Sequence, residues 1–223
     1  MKKSSTLTLL LVLFLSLLSC KKETPLEFEK KVMCEILPSL MDSLAIDRRL
    51  MYPPPFSKAI FDKNDNLIGL DSSDLEIRRK EYDMEVLRIR KDTNVVFLIK
   101  DSVHGLNQLD WSNRNEYFKD VNFEKDSLFS KLNYKIDLGC TSKYKLKYLS
   151  QFKGYTELFD LEYEYEIGGI LSFSKIYFDK ERKHGILSGS YLCGGKFGRG
   201  YNIYLKKIND KWVIQKIIPT WIA

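Results

Sequence analysis

From Lys143 to the end of the chain, polar and apolar residues alternate in short runs separated by turn-forming clusters, and this pattern constrains the fold more than any other. A period of two places successive side chains on opposite faces of a β-strand. The runs are KYKLKYL, LEYEYEI, ILSFSKIYFD (170–179), HGILSGSYLC (184–193), YNIYLKK (201–207) and KWVIQKIIPTWIA (211–223). Lys180 to Lys183, GGKFGRG and Asn209-Asp210 connect the later ones, and connections this short predict a continuous antiparallel meander. A hairpin turning near Gly154 would set Lys147 opposite Glu162, Lys145 opposite Glu164 and Lys143 opposite Glu166. Opposite charges across strands contribute about 0.2–1 kcal/mol per pair, so the glutamate row reads as a register device before it reads as a cation site.

The first half carries a different period. Between Leu26 and Ile46, Val32/Met33, Ile36/Leu37, Leu40/Met41 and Leu44/Ala45 recur every four residues, an apolar stripe on a helix. Pro38 predicts a kink or two shorter helices. MYPPPF reads as a rigid extended connector, and FDKNDNLIGLD as a turn between two extended pieces. Asp62, Asn64 and Asn66 imitate the start of a calcium loop, but Leu67 stands where glycine is needed and Ser73 where a bidentate glutamate belongs. Ser73 to Glu76 forms a capping box for a helix reaching about Arg90, with Leu75, Tyr82, Val86 and Ile89 inward. NVVFLIK (94–100) reads as a buried strand, and short helices are expected over 113–119 and 124–132. Helices first and strands last predict an α+β fold, with N-terminal helices packed on a C-terminal antiparallel meander sheet.

The N-terminus is not part of that domain. Lys2 and Lys3 precede an apolar stretch from Leu7 to Leu18, too short to span roughly 30 Å of hydrocarbon and suited to the core of a secretory leader. Leu17-Leu18-Ser19-Cys20 resembles the bacterial lipobox. The resemblance implies cleavage between Ser19 and Cys20, a diacylglyceryl thioether on Cys20 and fatty acylation, as by palmitate, of the new amine. The expected organisation is a signal peptide over 1–19, a lipidated tether over 20–25 and one domain over 26–223. The expected partner is then a membrane, reached through the anchor and not crossed. Lys21 is not the aspartate linked to inner-membrane retention, which favours the outer membrane facing the periplasm, with the cell surface as the alternative. Without residues 1–19 the basic count falls from 36 to 34 against 30 acids, a net charge of +4. No Lys/Arg block marks a nucleic-acid partner. Cys34, Cys140 and Cys193 remain, enough for one internal disulfide or for three free thiols.

The tail resembles the C-terminal region of an uncharacterised group of gram-negative bacterial lipoproteins. The matching residues are Ser172 to Ile176, Cys193-Gly194-Gly195, Lys206-Lys207, Lys211-Trp212 and Trp221, with Leu37 to Leu44 and the proline run fitting as well. Several members carry a second cysteine in the glycine hairpin, where this chain has Phe197. The tail also resembles, more loosely, the bent sheets of cystatin-like and nuclear-transport-factor-like domains. Neither resemblance implies a reaction.

The chemistry-bearing residues form no recognisable set. His104 and His184 lack metal-ligand spacing, so no metal or cofactor is expected. Ser188-Gly189-Ser190 lacks the frame of a nucleophile elbow, and Cys193 and His184 are expected at opposite ends of one strand. Lys196 and Arg199, in the glycine hairpin, are the candidate contacts for an acidic partner or headgroup. The leading expectation is a non-enzymatic, lipid-anchored binding or envelope-assembly module with an envelope protein as its partner. The alternatives are a lipid-anchored hydrolase whose acids, such as Asp101 and Asp160, meet only in three dimensions, or a small-ligand carrier with a cavity between helix and sheet.

Overall fold

The structure is a computed structural model and describes residues 23–103, 118, 121, 134–141, 143–154, 158–159, 161–194 and 197–222. Ser19, Cys20, His104, Asp160, Lys196 and, apart from Phe118, the helices expected over 113–119 and 124–132 lie outside the described residues.

Helix α1 spans Pro25–Leu44. Thr24 caps it: its hydroxyl accepts from the Glu27 N–H at 3.2 Å, and the Glu27 carboxylate accepts from the Thr24 N–H at 2.8 Å. Pro38 lies inside this single helix, so the expected division into two helices does not occur. Burial of Val32, Met33, Ile36, Leu37, Leu40, Met41 and Leu44 against the sheet outweighs the one backbone hydrogen bond that proline removes. A 3₁₀ turn at Arg48–Met51 follows, then the hairpin β1 (Lys58–Phe61) and β2 (Leu67–Asp71), and helix α2 (Leu75–Lys91). The N-cap of α2 is Asp74, whose carboxylate binds the Lys58 ammonium and the Arg78 guanidinium, so the expected Ser73–Glu76 box is not formed. The inward face is as expected, with Ile89 buried and Leu75, Tyr82 and Val86 half-buried.

The main sheet is built from β3 (Val95–Ile99), β4 (Lys145–Tyr148), β5 (Glu166–Phe173), β6 (Tyr177–Phe178), β7 (His184–Leu192), β8 (Gly198–Ile208) and β9 (Lys211–Ile222). Their order is β4-β3-β5-β7-β8-β9, with β6 also pairing with β7. The molecule is therefore α+β, helices N-terminal and strands C-terminal. From β5 through β9 the pairing is the expected antiparallel meander. At the other edge β3 lies parallel to both β4 and β5.

That arrangement overturns the Lys/Glu hairpin. β3 separates the two segments, and residues 161–165 are not strand. Lys143 instead reaches Asp42, Lys147 donates to the Tyr165 hydroxyl at 3.0 Å, and Glu166 lies 4.0 Å from Arg48. The physical reason is in β3, where Val96 to Ile99 are all buried. A strand apolar on both faces must be covered on both, and the two cores on either side of β3 cover it, as is usual for strands in parallel pairing.

The front core joins α1 to Phe97, Ile99, Leu171, Phe173, Leu187, Tyr191, Ile203 and Leu205, and no residue of α2 contributes to it. A second core covers the back of β3 and β5 with Leu158, Phe152, Phe159, Tyr163 and Tyr165. Gly169 must be glycine, because a Cβ there would lie 2.3 Å from the Tyr191 ring. That ring lies across the strand so that its single hydroxyl proton is shared between the carbonyls of Gly168 and Ile46.

α1 runs in the same sense as β7. Its first turn meets the start of β7: Phe28 packs on Phe178 and Trp212, and Glu29 accepts from the Ile176 N–H at 3.0 Å. Its last turn meets the end of β7, where Leu44 approaches Gly189. The domain thus has a near end, where α1 begins. Its far end holds the 3₁₀ turn, the starts of β3 and β5 and the β7–β8 hairpin.

Candidate binding clefts

Among the described residues, three adjoining cavities lie at the far end. The first, about 600 Å³, opens along the edge strand β4 and is lined by Lys147, Tyr148, Phe152, Lys153, Tyr163 and Tyr165 among others. The second, about 340 Å³, shares Tyr163 and Tyr165 with the first and adds Arg48, Phe159 and Glu166. The third, about 360 Å³, shares Arg48 and adds Met51, Tyr52, Cys193 and Phe197.

The wall between the first two is a tyrosine pair. Tyr163 and Tyr165 stack with centroids 5.7 Å apart and planes 14° from parallel, and Phe152 meets Tyr163 edge-on at 5.6 Å. The Lys147 ammonium sits 4.3 Å from the Tyr165 ring centre, and that of Lys135 sits 3.6 Å from the Tyr148 ring centre. Lys153 is exposed and makes no ion pair among the described residues. Aromatic faces and donors therefore occupy one concave surface, an arrangement that orients a ligand by stacking and by charge.

Arg48 bridges the second and third cavities. Its guanidinium covers the Phe159 ring at 5.1 Å, its carboxylate neighbour Glu166 is 4.0 Å away, and its Nε is buried without a hydrogen-bond partner among the described residues. Arg49 beside it is held by Asp47 and Asp92, which raise its pKa and leave it a structural cation. Cys193 is free, with its sulfur 3.3 Å from that of Met51. Burial pushes the Cys193 thiol up, against the opposing pull of Tyr191, Arg48 and Arg199, so it stays protonated and is a poor nucleophile at neutral pH.

Other sequence candidates are dispersed. Arg199 lies in β8 beside Tyr191 and Ile222, 5.5 Å from the Phe197 ring centre. The glycines around it serve packing: a Cβ at Gly200 would fall 1.9 Å from the Trp221 indole nitrogen. His184 and Cys193 do lie at opposite ends of β7. His184 pairs with buried Asp179 at 2.8 Å, and the same carboxylate accepts the N–H groups of Lys183 and His184, which makes the pair a turn lock. Ser188 and Ser190 alternate along β7, and Ser190 bonds the Ser172 hydroxyl. Asp101 accepts from the Ser150 N–H and hydroxyl and lies near Lys135; burial raises its pKa, but these bonds outweigh it and hold the carboxyl below its ordinary range. Asp62 accepts from the N–H groups of Asn64 and Asn66, so it is a turn residue. Among the described residues there is no cluster of metal-ligating side chains and no helix long and apolar enough to cross a membrane.

In LEYEYEI the tyrosine pair shows only as strand alternation, with the glutamates as its more conspicuous partner. Arg48 had no signal, because its neighbours come from segments more than a hundred residues away. Compared with family models, with curated proteins and with solved structures, the chain has no match in any of the three.

Proposed function

We propose that this chain is a lipid-anchored envelope protein that acts by binding, with the aromatic far-end clefts as its ligand site. The observation that carries the reading is the Tyr163–Tyr165 stack, shared as a wall by two cavities and flanked by Lys147 and Arg48. Such an arrangement fits an extended ligand with flat or ring faces, with Lys147 at one cavity and Arg48, Glu162 and Glu166 at the next to set its polar contacts. The disulfide between Cys34 and Cys140 supports export, because such bonds persist in oxidising compartments. The leader ending at Ser19-Cys20 supports the anchor. The hydrolase reading loses support at Asp101, whose oxygens already accept from Ser150.

The test is to purify the intact protein from envelopes, denature it and identify released molecules by mass spectrometry. A molecule present in the wild type and depleted at least tenfold in Tyr163→Ala/Tyr165→Ala is the expected result. Identical release from both proteins, or none from either, sinks the binding reading. The intact mass of the same sample reports the acyl groups on Cys20 and tests the anchor separately.

A further inference from the structure

The near end carries a charge pattern that the clefts do not use. The turn before β7 and the turn between β8 and β9 lie side by side, since the Lys207 N–H donates to the Lys183 carbonyl at 2.8 Å and His184 pairs with Lys206. Residues 180–183 and 206–211 hold Lys180, Arg182, Lys183, Lys206, Lys207 and Lys211 against Glu181 and Asp210. Six cations less two anions give +4, the net charge of the whole chain after residue 19.

These cations are presented to solvent. Lys180, Lys183, Lys206 and Lys211 are exposed and make no ion pair among the described residues. Asp210 pairs with Lys207 at 3.1 Å but is itself 97% exposed. Asp179 is buried under the His184 turn and Glu29 against Ile176, while exposed Glu27, which caps α1, and exposed Glu35, which accepts from the Trp212 N–H at 2.9 Å, are offset by exposed Lys30 and Lys31 on the same helix. Ile208, 49% exposed, and Val213, 37% exposed, stand among the lysines.

The turns that carry this surface are tight. Arg182 adopts φ 52°, an uncommon conformation for a side-chain-bearing residue, and its guanidinium lies 4.3 Å from the Phe28 ring centre. Asn209 and Asp210, with φ 49° and 62°, close a tight hairpin of the primed type. Phe28 belongs to the first turn of α1, so the chain leading from Cys20 enters the domain beside this patch. Five residue steps from Cys20 to Pro25 reach at most about 18 Å. The opposite end carries exposed Glu162, Glu164 and Glu166.

We infer that the near end docks on an anionic membrane surface, with Lys180, Lys183, Lys206 and Lys211 on phosphate headgroups and Ile208 at their boundary with the acyl chains. The docking complements the Cys20 anchor, and so it rests on that part of the proposed function. A cationic patch beside a lipid anchor adds a second, salt-sensitive attachment and fixes which end faces the bilayer.

The test reconstitutes the lipidated protein in vesicles of phosphatidylcholine alone or with 30% phosphatidylglycerol and measures acetylation of each lysine by peptide mass spectrometry. Labelling of Lys180, Lys183, Lys206 and Lys211 falls at least threefold on the anionic vesicles, Lys63 and Lys80 do not change, and 0.5 M NaCl abolishes the difference. Equal labelling of the four lysines on both vesicles overturns the docking. A second arm uses the leaderless chain with Cys20→Ser, which carries no acyl group and decides the matter even if the anchor reading fails. It sediments with the anionic vesicles, and Lys180→Glu/Lys183→Glu/Lys211→Glu, which touches only exposed side chains, weakens this at least tenfold. Unchanged sedimentation of a variant with wild-type circular dichroism overturns the proposal.

Discussion

Replacing both Cys34 and Cys140 by alanine removes the covalent link between α1 and the 3₁₀ turn at Leu138–Cys140, whose sequence separation is 106 residues. Closing a loop of that length restricts the unfolded chain by roughly 16 cal/mol/K, about 4.8 kcal/mol at 25 °C in the chain-entropy model. Compaction of the real unfolded chain lowers this, so the expected loss is about 3–5 kcal/mol. With a urea slope near 2.5 kcal/mol/M, the midpoint falls by about 1.5 M, and the slope itself rises because the unlinked chain expands further. The assay is urea unfolding followed by circular dichroism on the oxidised wild type, the wild type in reductant and Cys34→Ala/Cys140→Ala. Reduced wild type and double variant coincide, while Cys193→Ala leaves the oxidised curve in place. A midpoint shift below about 0.3 M, or a non-reducing peptide map in which Cys193 joins either partner, refutes the reasoning.

Two further perturbations probe the core and the tail. Burial raises the pKa of Glu29 above its ordinary value of 4.5 despite the Ile176 N–H, the Lys175 charge and the Tyr134 hydroxyl, so folding favours the protonated acid. Its stabilising contribution is full below pH 4.5 and is lost as pH rises through the folded value, so the stability of wild type relative to Glu29→Gln is greatest near pH 4 and declines toward pH 7; a flat difference in thermal unfolding across that range counts against it. Gly200→Ala forces a Cβ to within 1.9 Å of the Trp221 indole and costs about 1–3 kcal/mol. In a Trp221→Ala background the same change costs less than half as much, and strict additivity in the double-mutant cycle contradicts the packing role of the glycine.

Legibility in this sequence followed the range of the interactions. The later strands were readable because local chemistry fixes each turn, as Asn209-Asp210 does with two left-handed residues. α1 is readable from its stripe, and Pro38 does not divide it because burial of one whole face outweighs a single missing donor. The failure at Lys143 to Glu166 is more instructive. A constant-sum pairing of lysines and glutamates satisfied every local rule, yet β3 enters between the two segments from far earlier in the chain. The contradictory signal was present in NVVFLIK, whose unbroken apolar character marks a strand buried on both faces, the kind found inside parallel sheets. The clefts were not readable at all, since their walls combine the segments around Arg48, Phe152, Tyr163 and Cys193. The Cys34–Cys140 pairing was likewise closed to inspection, because three cysteines far apart specify no connectivity.

The two ends of the domain constrain each other once the anchor is granted. β7 has nine residues and a rise of about 3.3 Å per residue, so roughly 30 Å separate the basic turns from the Cys193 end. A body whose lysines rest on headgroups therefore holds the tyrosine stack and Arg48 well beyond a Debye length, about 8 Å at physiological salt, from the charged surface. Arg199 is carried to the same height, which removes lipid headgroups as its partner and leaves an acidic ligand in solution or on another protein. The two sites then answer differently to salt. High ionic strength releases the near end, which depends on exposed lysines, while ring stacking in the clefts persists. A ligand that stays bound when salt releases the headgroup contacts is held by the rings, whereas one lost in parallel with them is held by exposed charges and not by the tyrosine stack.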